Sequence, residues 1–454
     1  MGIQNFPAAL QPIIQQGFLE TEFQKPLESQ LRYRTIADRE TFPNKIGETI
    51  TKTRPGLKNP VTTPSNPSSN TNLDNGMSPS AYTVEQYTLT INQYNDTIDL
   101  NIVNNKVGLA DQFLRNAKTN GTQSAQSLDR IARATLFGGA LGTQGGYLGG
   151  NTRVRVGLGS PAATLSVDDV RGFQNVLVTG SNFILAGQPT ANSGTFLPVS
   201  PANTAQVLVG SNYYTLTGVT VDGSNTSTAP GGISGVLTFS GNVSTSDGAQ
   251  NNQVVHYNAP TILRPSGRLT TNALQATDFL SLGLLLDAQA VLRNNAPTEA
   301  GNMTCFLDNR SMRELFADQD FKIVFQGQYG SKEYRDGMVF DLLGIRFMPT
   351  TEAYVQTLNG LQIRRPILVI QGALIEGDFE GMGEMFENET HIVDVIDDIV
   401  QVTRPPLDRL GQIIAQSWYW IGGFALPTDA TANTTIIPTA SNAYLKRAVV
   451  IEHA

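Results

Sequence analysis

Residues 85–103, EQYTLTINQYNDTIDLNIV, alternate apolar and polar side chains, and the alternation changes parity halfway. Tyr87, Leu89 and Ile91 share one face of an extended chain, whereas Ile98, Leu100 and Ile102 take the opposite parity. A period of two predicts a strand, and the parity change predicts a bulge or bend near Asn92 and Gln93. A partner strand is expected upstream in IGETITKTRPGLK, residues 46–58, ending at Pro55 and Gly56. Between the two lies PVTTPSNPSSNTNLDNGMSPSA, which can bury almost nothing. The result is a long projecting hairpin. Two-stranded ribbons are marginal in water, so this one is expected to draw its order from a neighbour.

Composition narrows the class of chain that carries such a hairpin. Only 15% of the 454 residues are charged, against roughly 25% in an average soluble protein. Gly, Asn, Thr, Ser and Gln take their place, which argues against a coiled coil and against charge-driven disorder. The net charge of −8 lacks the basic excess of a tight nucleic-acid binder. No apolar run reaches the ~18 residues of a membrane span, and the N-terminus lacks the pattern of a signal peptide. One cysteine, Cys305, excludes an internal disulfide framework. Three widely spaced histidines, His256, His391 and His453, make a histidine-based metal cluster or triad improbable. No cofactor is expected.

Along the chain, residues 1–45 carry scattered apolar anchors, among them Phe6, Ile13, Phe18, Phe23, Leu31 and Tyr33, and prolines that break any long helix. The plain reading is a flexible terminus; the sharper one is an arm whose anchors insert into neighbouring subunits. Helical spacing over 122–137 places Leu128, Ile131, Thr135 and Leu136 together, with Thr122 as N-cap and Asp129–Arg133 as an i,i+4 pair. The glycine-dense stretch that follows, GGALGTQGGYLGG, lacks the Lys-Ser/Thr and strand-turn-helix context of a phosphate cradle and predicts close backbone packing instead. From about residue 160 to 262 the chain is nearly free of charge, with short alternating runs split by turns, the pattern of an antiparallel β module. The strongest helix is expected in 270–295, then a strand MTCFL, a capped helix DNRSMRELF, strands LLGIRFMP and PILVIQG, a loop LIEGDFEGMGEMFENET, and two further strand segments before an ordered extension or tail.

The densest charge feature is Glu376, Asp378, Glu380, Glu384, Glu387 and Glu389, with Asp394, Asp397 and Asp398 beyond it. A cation site or a glycosidase carboxylate pair is one reading. The calcium-loop spacing is absent and the interleaved glycines favour a solvated or subunit-facing loop. Cys305 lies in an apolar strand and reads as a small buried hydrophobe. The Asn-X-Ser/Thr sequons are compositional. No catalytic constellation emerges, and the chain is expected not to be an enzyme.

The order of the pieces resembles the HK97-like major capsid proteins of tailed bacteriophages. LDRIARATLFGG resembles the end of that family's spine helix, and ATDFLSLGLLLDAQAVLRNNAPTEAGNMTCFLDNRSMRELF its axial-domain helix, strand and short helix, entered through Leu307-Asp308-Asn309-Arg310. LLGIRFMPTTEA and GALIEGDFEGM resemble the strand and turn beyond its apex loop, and VQVTRPPLDRLGQIIAQSWYWIGGFALP the last peripheral-domain strands. The resemblance implies an α+β fold divided into an N-terminal arm (1–45), an extended hairpin region (46–108), spine helix and joint (109–150), an inserted β-rich domain (151–262), an axial domain (263–400) and closing peripheral strands with a C-terminal extension (401–454). It implies a capsid shell subunit assembling into hexamers and pentamers around double-stranded DNA, without sequence-specific binding and without a membrane. The implied partners are further copies, a separate scaffolding protein, a portal at one vertex and cement or decoration proteins. The implied location is the virion capsid, reached from the host cytoplasm. Since no charged helical leader stands before residue 1, the mature subunit is expected to begin near Met1. Alternatives from other classes are a carbohydrate-active hydrolase with an accessory β module, and a surface-layer or tail-tube protein. Inter-subunit contact is expected between a basic hairpin edge, Lys52, Arg54 and Lys58, and an acidic surface of Glu376, Asp378 and Glu380.

Overall fold

A computed structural model describes residues 32–42, 49–62, 82–101, 112–179, 191–296, 303–326, 341–379, 392–396, 399–404, 409–410 and 412–454. Its first body is built on one long strand, Ile413–Ala425. On one edge that strand pairs antiparallel with Asn92–Asn101, from Ile413 opposite Asn101 to Gly422 opposite Asn92. On the other edge it pairs with Ile399–Arg404 and, further along, with Ile375–Phe379. The sequence QSWYWIGGF alternates, and Trp418 and Trp420 point together against Leu128 of helix α1 (Gln112–Phe137). Helix α1 is longer than its periodicity predicts. Thr122 lies inside it rather than capping it, because tertiary contact outweighs local propensity. Buried Asn120 donates to the carbonyl of Gln416 at 3.1 Å and holds the turn beside Gly121 against the sheet. Asp129 does not pair with Arg133: it accepts from the Arg34 backbone at 3.0 Å, while Arg133 bonds Glu352 and lies 4.3 Å from the Tyr354 ring centroid.

The parity change falls where the chain changes sheet. Tyr82–Thr90 pairs antiparallel with Thr49–Pro55 as the ribbon, and after Ile91 the chain enters the first body. The two sheets meet at Gly423, where a side chain would put its Cβ 1.9 Å from the Thr90 carbonyl oxygen. Contrary to expectation, the ribbon has a partner within its own chain. Tyr82–Val84 pairs in parallel with Ala191–Ser193, and a hairpin of Asn175–Thr179 and Ala191–Pro198 completes a four-stranded sheet.

The glycine-dense stretch is a tight joint. Tyr147 and Leu148 donate to the carbonyls of Leu136 and Phe137, and a Cβ on Gly146 would lie 2.4 Å from the Phe137 carbonyl carbon. Beyond it, Asn151–Arg153, Ala162–Val167, Ala205–Val209, Asn212–Val221, Gly235–Val243 and Gln253–His256 form a six-stranded sheet. Its two edge strands meet through the Val154–Val167 bridge and the bond from Arg155 N to Ser166 O, so the sheet closes into a barrel. Alternate residues fill it, Val154, Leu165, Val167, Val207, Val209, Leu216, Leu237 and Phe239 among them. Closure removes the exposed edges that a low-charge sheet would otherwise offer to other chains.

The third body is a sheet ordered Ile262–Leu263, Ala448–Ile451, Ile367–Val369, Met303–Leu307, Ile345–Pro349, Asp341–Leu342. Helices α2 (Leu282–Asn295), α3 (Asn309–Ala317) and α4 (Gln319–Gln326) accompany it. Helix α2 starts later than expected. Asp278 accepts from the Gln275 backbone, Ser266 and Arg268, folding 275–278 into a turn, and Ser281 then caps the helix. Asp308 caps α3 by accepting from the backbones of Arg310 and Ser311. Two expectations change here: LIEGDF contributes a strand rather than a loop, and the chain end is no appendage. Ala448–Ile451 is wholly buried and lies inside the sheet, between Ile262–Leu263 and Ile367–Val369.

Barrel closure through 151–155 sets the limits of an autonomous piece. A fragment of residues 150–258 should melt cooperatively with a β-rich circular dichroism spectrum, whereas one starting at 160 should not fold, because it lacks the closing strand. Equal behaviour of the two fragments would contradict the closure. In the full chain, burial pushes the His256 imidazole down to about 4. The unfolded chain takes up the proton near 6.5, so stability is full above that pH and falls as pH drops from 6.5 towards 4. Thermal melts across this window should show the loss, and His256→Gln should flatten it.

Candidate functional site

Of the expected acidic surface, Glu376 is described in full, and it is not a surface group. It is buried, and its carboxylate receives Nε and Nη2 of Arg34 at 2.9 and 2.6 Å. Both oxygens are engaged, so Glu376 has no free edge for a glycosidase role or for a cation. Asp378 contributes backbone to Ile375–Phe379, and its side chain lies outside the described residues, as do Glu380, Glu384, Glu387 and Glu389. Among the described residues no group of three or more His, Cys, Asp or Glu is placed to hold a metal ion. No described helix is long and apolar enough to cross a membrane.

The arm segment is fixed through this pair. Asp38–Phe42 lies parallel to Ile375–Phe379, and buried Tyr33 packs on Phe137 and Phe306 with ring centroids 6.0 and 5.1 Å apart. Tyr33 is therefore an anchor into its own chain, not into a neighbour. The remaining arm anchors, Phe6 to Leu31, lie outside the described residues.

On the ribbon, Lys52 pairs with Glu40 at 3.1 Å and Arg54 with Asp429 at 2.6 Å. Tyr87 Oη donates to Glu40 at 2.9 Å. Buried Glu85 accepts from Thr428 and from both the backbone and hydroxyl of Thr431. The ribbon root is thus clamped to its own body by the segment 428–431, whose Asp429 also receives Arg447 at 2.8 Å. Lys58 is exposed, beyond the clamp. Leu57 and Val61 beside it are 48% and 90% exposed. Sequence reasoning missed the clamp, because a Thr- and Asn-rich tail carries no periodic signal; Lys446 of that tail is buried too, and its ammonium donates to the Ala443 carbonyl at 2.7 Å.

The lobe also brings together three residues that the sequence left apart. Ser311 Oγ stands 2.8 Å from His453 Nε2, and His453 Nδ1 stands 2.9 Å from Glu314. The chemistry of a nucleophile, base and orienting acid would need access, and Ser311 and His453 are both 0% exposed. The Ser311 hydroxyl is also bonded to Asp308. The cluster locks the chain terminus to α3 instead. Cys305 is buried in the central strand, with its thiol pushed up to about 12 by desolvation, which removes its nucleophilicity.

No family model matches the chain, and no curated protein matches it. Among solved structures, it is similar to the capsid of the cyanophage P-SCSP1u, at 11% identity over 96% of this chain and 91% of that chain, TM-score 0.47. It is similar to the capsid of Ralstonia phage GP4, at 10% identity over 96% of both chains, TM-score 0.47. A third is the mature capsid of bacteriophage PhiM1, at 6% identity over 95% of this chain and 89% of that chain, TM-score 0.45.

The Arg34–Glu376 pair gives a direct test of how the arm is held. Glu376→Gln should lower stability by about 3 kcal/mol in chemical denaturation, since it removes the carboxylate charge that a largely buried guanidinium faces. It should also raise amide exchange across residues 38–42. The double variant Arg34→Met/Glu376→Met should recover most of the loss, and failure to recover would show that packing rather than charge pairing dominates.

Proposed function

We propose that this chain is the structural subunit of an icosahedral shell of the tailed-phage type, assembling into hexamers and pentamers that enclose double-stranded DNA. The observation that carries the reading is the ribbon. Its root is clamped by ion pairs and a parallel strand, yet it holds Leu57 and Val61 out in solvent. Apolar side chains presented on a fixed stalk return about 25 cal/mol per Å² when a neighbour covers them. The order of parts supports the same reading: arm strand, ribbon, long helix on a long strand, glycine joint, then an α/β lobe, following the segments that resemble the HK97-like family. In this reading the first body is the peripheral domain, the lobe the axial domain, and the barrel an insertion.

A shell subunit works by contact, so no reaction is assigned to it. A net charge of −8 suits a wall that encloses DNA without trapping it. The virion capsid is the proposed location, with assembly in the host cytoplasm alongside a scaffolding protein, a portal and cement proteins. For the hairpin charges, the proposed inter-subunit contact rests first on Lys58, with Asp378 and Glu380 as facing acids. Lys52 and Arg54 would reach a neighbour only by leaving Glu40 and Asp429.

The double variant Leu57→Ser/Val61→Ser tests the proposal. It should melt within about 0.5 kcal/mol of wild type, as surface changes do. Expressed with the neighbouring gene products, it should yield few or no closed shells by negative-stain microscopy where wild type yields many. Shells as abundant as wild type would overturn the ribbon's role. Sheets or tubes from the wild-type chain would favour a surface-layer or tail-tube protein.

A further inference from the structure

Two strands of this chain keep an open edge. Tyr82–Thr90 covers only one side of Thr49–Pro55, and among the described residues the ribbon sheet ends there. Asn92–Asn101 pairs with Ile413–Ala425 alone, so along Asn92–Leu100 its far edge also meets no described strand. Both edges lie in solvent. Thr49, Thr51 and Thr53 are exposed on the first, and Gln93, Asn95, Asp96, Thr97 and Asp99 on the second. An open edge of this length is a template for a further strand. Within one chain the two edges do not meet, because the clamp at Arg54 and Glu85 holds the ribbon root elsewhere.

Resting on the shell reading above, we infer that these two edges join successive copies: the ribbon strand of one subunit adds, antiparallel, to the Asn92–Leu100 edge of the next. Charge decides against each edge pairing with its own copy. A two-fold axis sets the middle of a strand against itself. That middle is Lys52 in Thr49–Pro55, and it falls at Asp96 and Thr97 in Asn92–Asn101. Both self-pairings therefore bring like charges together, which is destabilising across strands. The mixed pairing lays a basic strand on an acidic one. With Arg54 opposite Asp96, Thr53 faces Thr97, Thr51 faces Asp99, Ile50 faces Leu100, and Lys52 lies diagonal to Asp96. Arg54 keeps Asp429 and Lys52 keeps Glu40; facing charges of opposite sign favour the register without a new ion pair. Pro55, facing Asn95, has no N–H and costs the ladder one bond. The same register carries Lys58 to Asn92, whose partner Gly422 also pairs with Asp378. Because the two edges differ, the contact is head-to-tail, and a head-to-tail contact that closes makes a ring. Hexamers and pentamers require a contact of that type.

The test is disulfide trapping in assembled particles of the double variant Thr53→Cys/Thr97→Cys. Directly opposite residues stand about 4.5–5.5 Å apart at Cα, within the range of a disulfide, and the native Cys305 is buried. Oxidised particles should give a ladder on a non-reducing gel that ends at closed rings, whereas either single variant should stay monomeric. Adding Asp96→Lys should weaken the ladder about tenfold, with the melting of the free subunit unchanged. Amide exchange on the wild-type chain, which needs no variant, should slow at Thr51, Thr53, Asn95 and Thr97 on going from free subunit to particle. Closed shells without a ladder, or with unchanged exchange at those amides, would overturn the edge pairing and leave the shell reading standing. Dimers from a single variant would overturn it in favour of self-pairing. A ladder from tubes or sheets would keep the pairing and overturn the shell.

Discussion

Every residue of the strand Ile413–Ala425 is paired on at least one edge and Ala415–Tyr419 on both, and that requirement shapes the first body. A strand paired on one edge leaves a row of unsatisfied donors and acceptors. Here Asn92–Asn101 covers one edge and two separate strands share the other. With Trp418 and Trp420 on one face, the sheet must also be roofed, and α1 supplies the roof with Leu128. Gly423 then lets the ribbon's end at Thr90 cross at backbone contact, and Gly422 leaves room for Trp420 and the Gly377 carbonyl. Moving any of these parts would expose either an edge or a tryptophan.

The ribbon is a consequence of that arrangement. Asn92–Asn101 is fixed against the long strand, so Tyr82–Thr90 must leave the sheet at Ile91 in a set direction. The barrel region meets its far end, Tyr82–Val84, with a hairpin, and the tail meets Arg54 and Glu85 beside it with Asp429, Thr428 and Thr431. Three stretches far apart in sequence thereby determine where one stalk points. On the proposed reading, a shell subunit that presents the same contact many times has reason to fix that direction before any neighbour arrives.

Much of this was legible in the sequence where a local signal existed. The parity change at Asn92 marked the switch between sheets, Asp308 announced its helix, and the alternating, charge-poor runs after residue 160 announced a β module. Glycines 138–150 read correctly as a close joint. What local pattern could not show was who pairs with whom. Glu376 looked like part of an acidic surface because its neighbours in sequence are acidic, yet its partner, Arg34, lies on the arm. Asp129 and Arg133 have helix-pair spacing, but each found a stronger partner in the third dimension. The run before Ser281 has helical periodicity, and the turn centred on Asp278 overrode it. The interior strand Ala448–Ile451 was hidden because four apolar residues near a chain end carry no period.

The scarcity of charge and the burial of charge are linked. A surface with few ions repels its own copies weakly at close approach, but it also loses the solvation and charge patterning that discriminate among compact arrangements. The ions that remain inside do that work. Arg34 and Glu376 join arm to sheet, Arg54 and Asp429 join ribbon to tail, and Arg264, Arg365 and Glu452 join three segments of the lobe. Buried pairs of this kind add little net stability over apolar replacements, because desolvation offsets most of the attraction. Their effect is on alternatives. A misplaced arm or ribbon would leave Glu376 or Glu85 buried without its donors, a penalty of several kcal/mol that an apolar contact of the wrong register would not impose. In a chain whose strands are rich in Thr, Val and Asn and could pair in many registers, such penalties are what make one arrangement of arm, ribbon and tail lower than the rest.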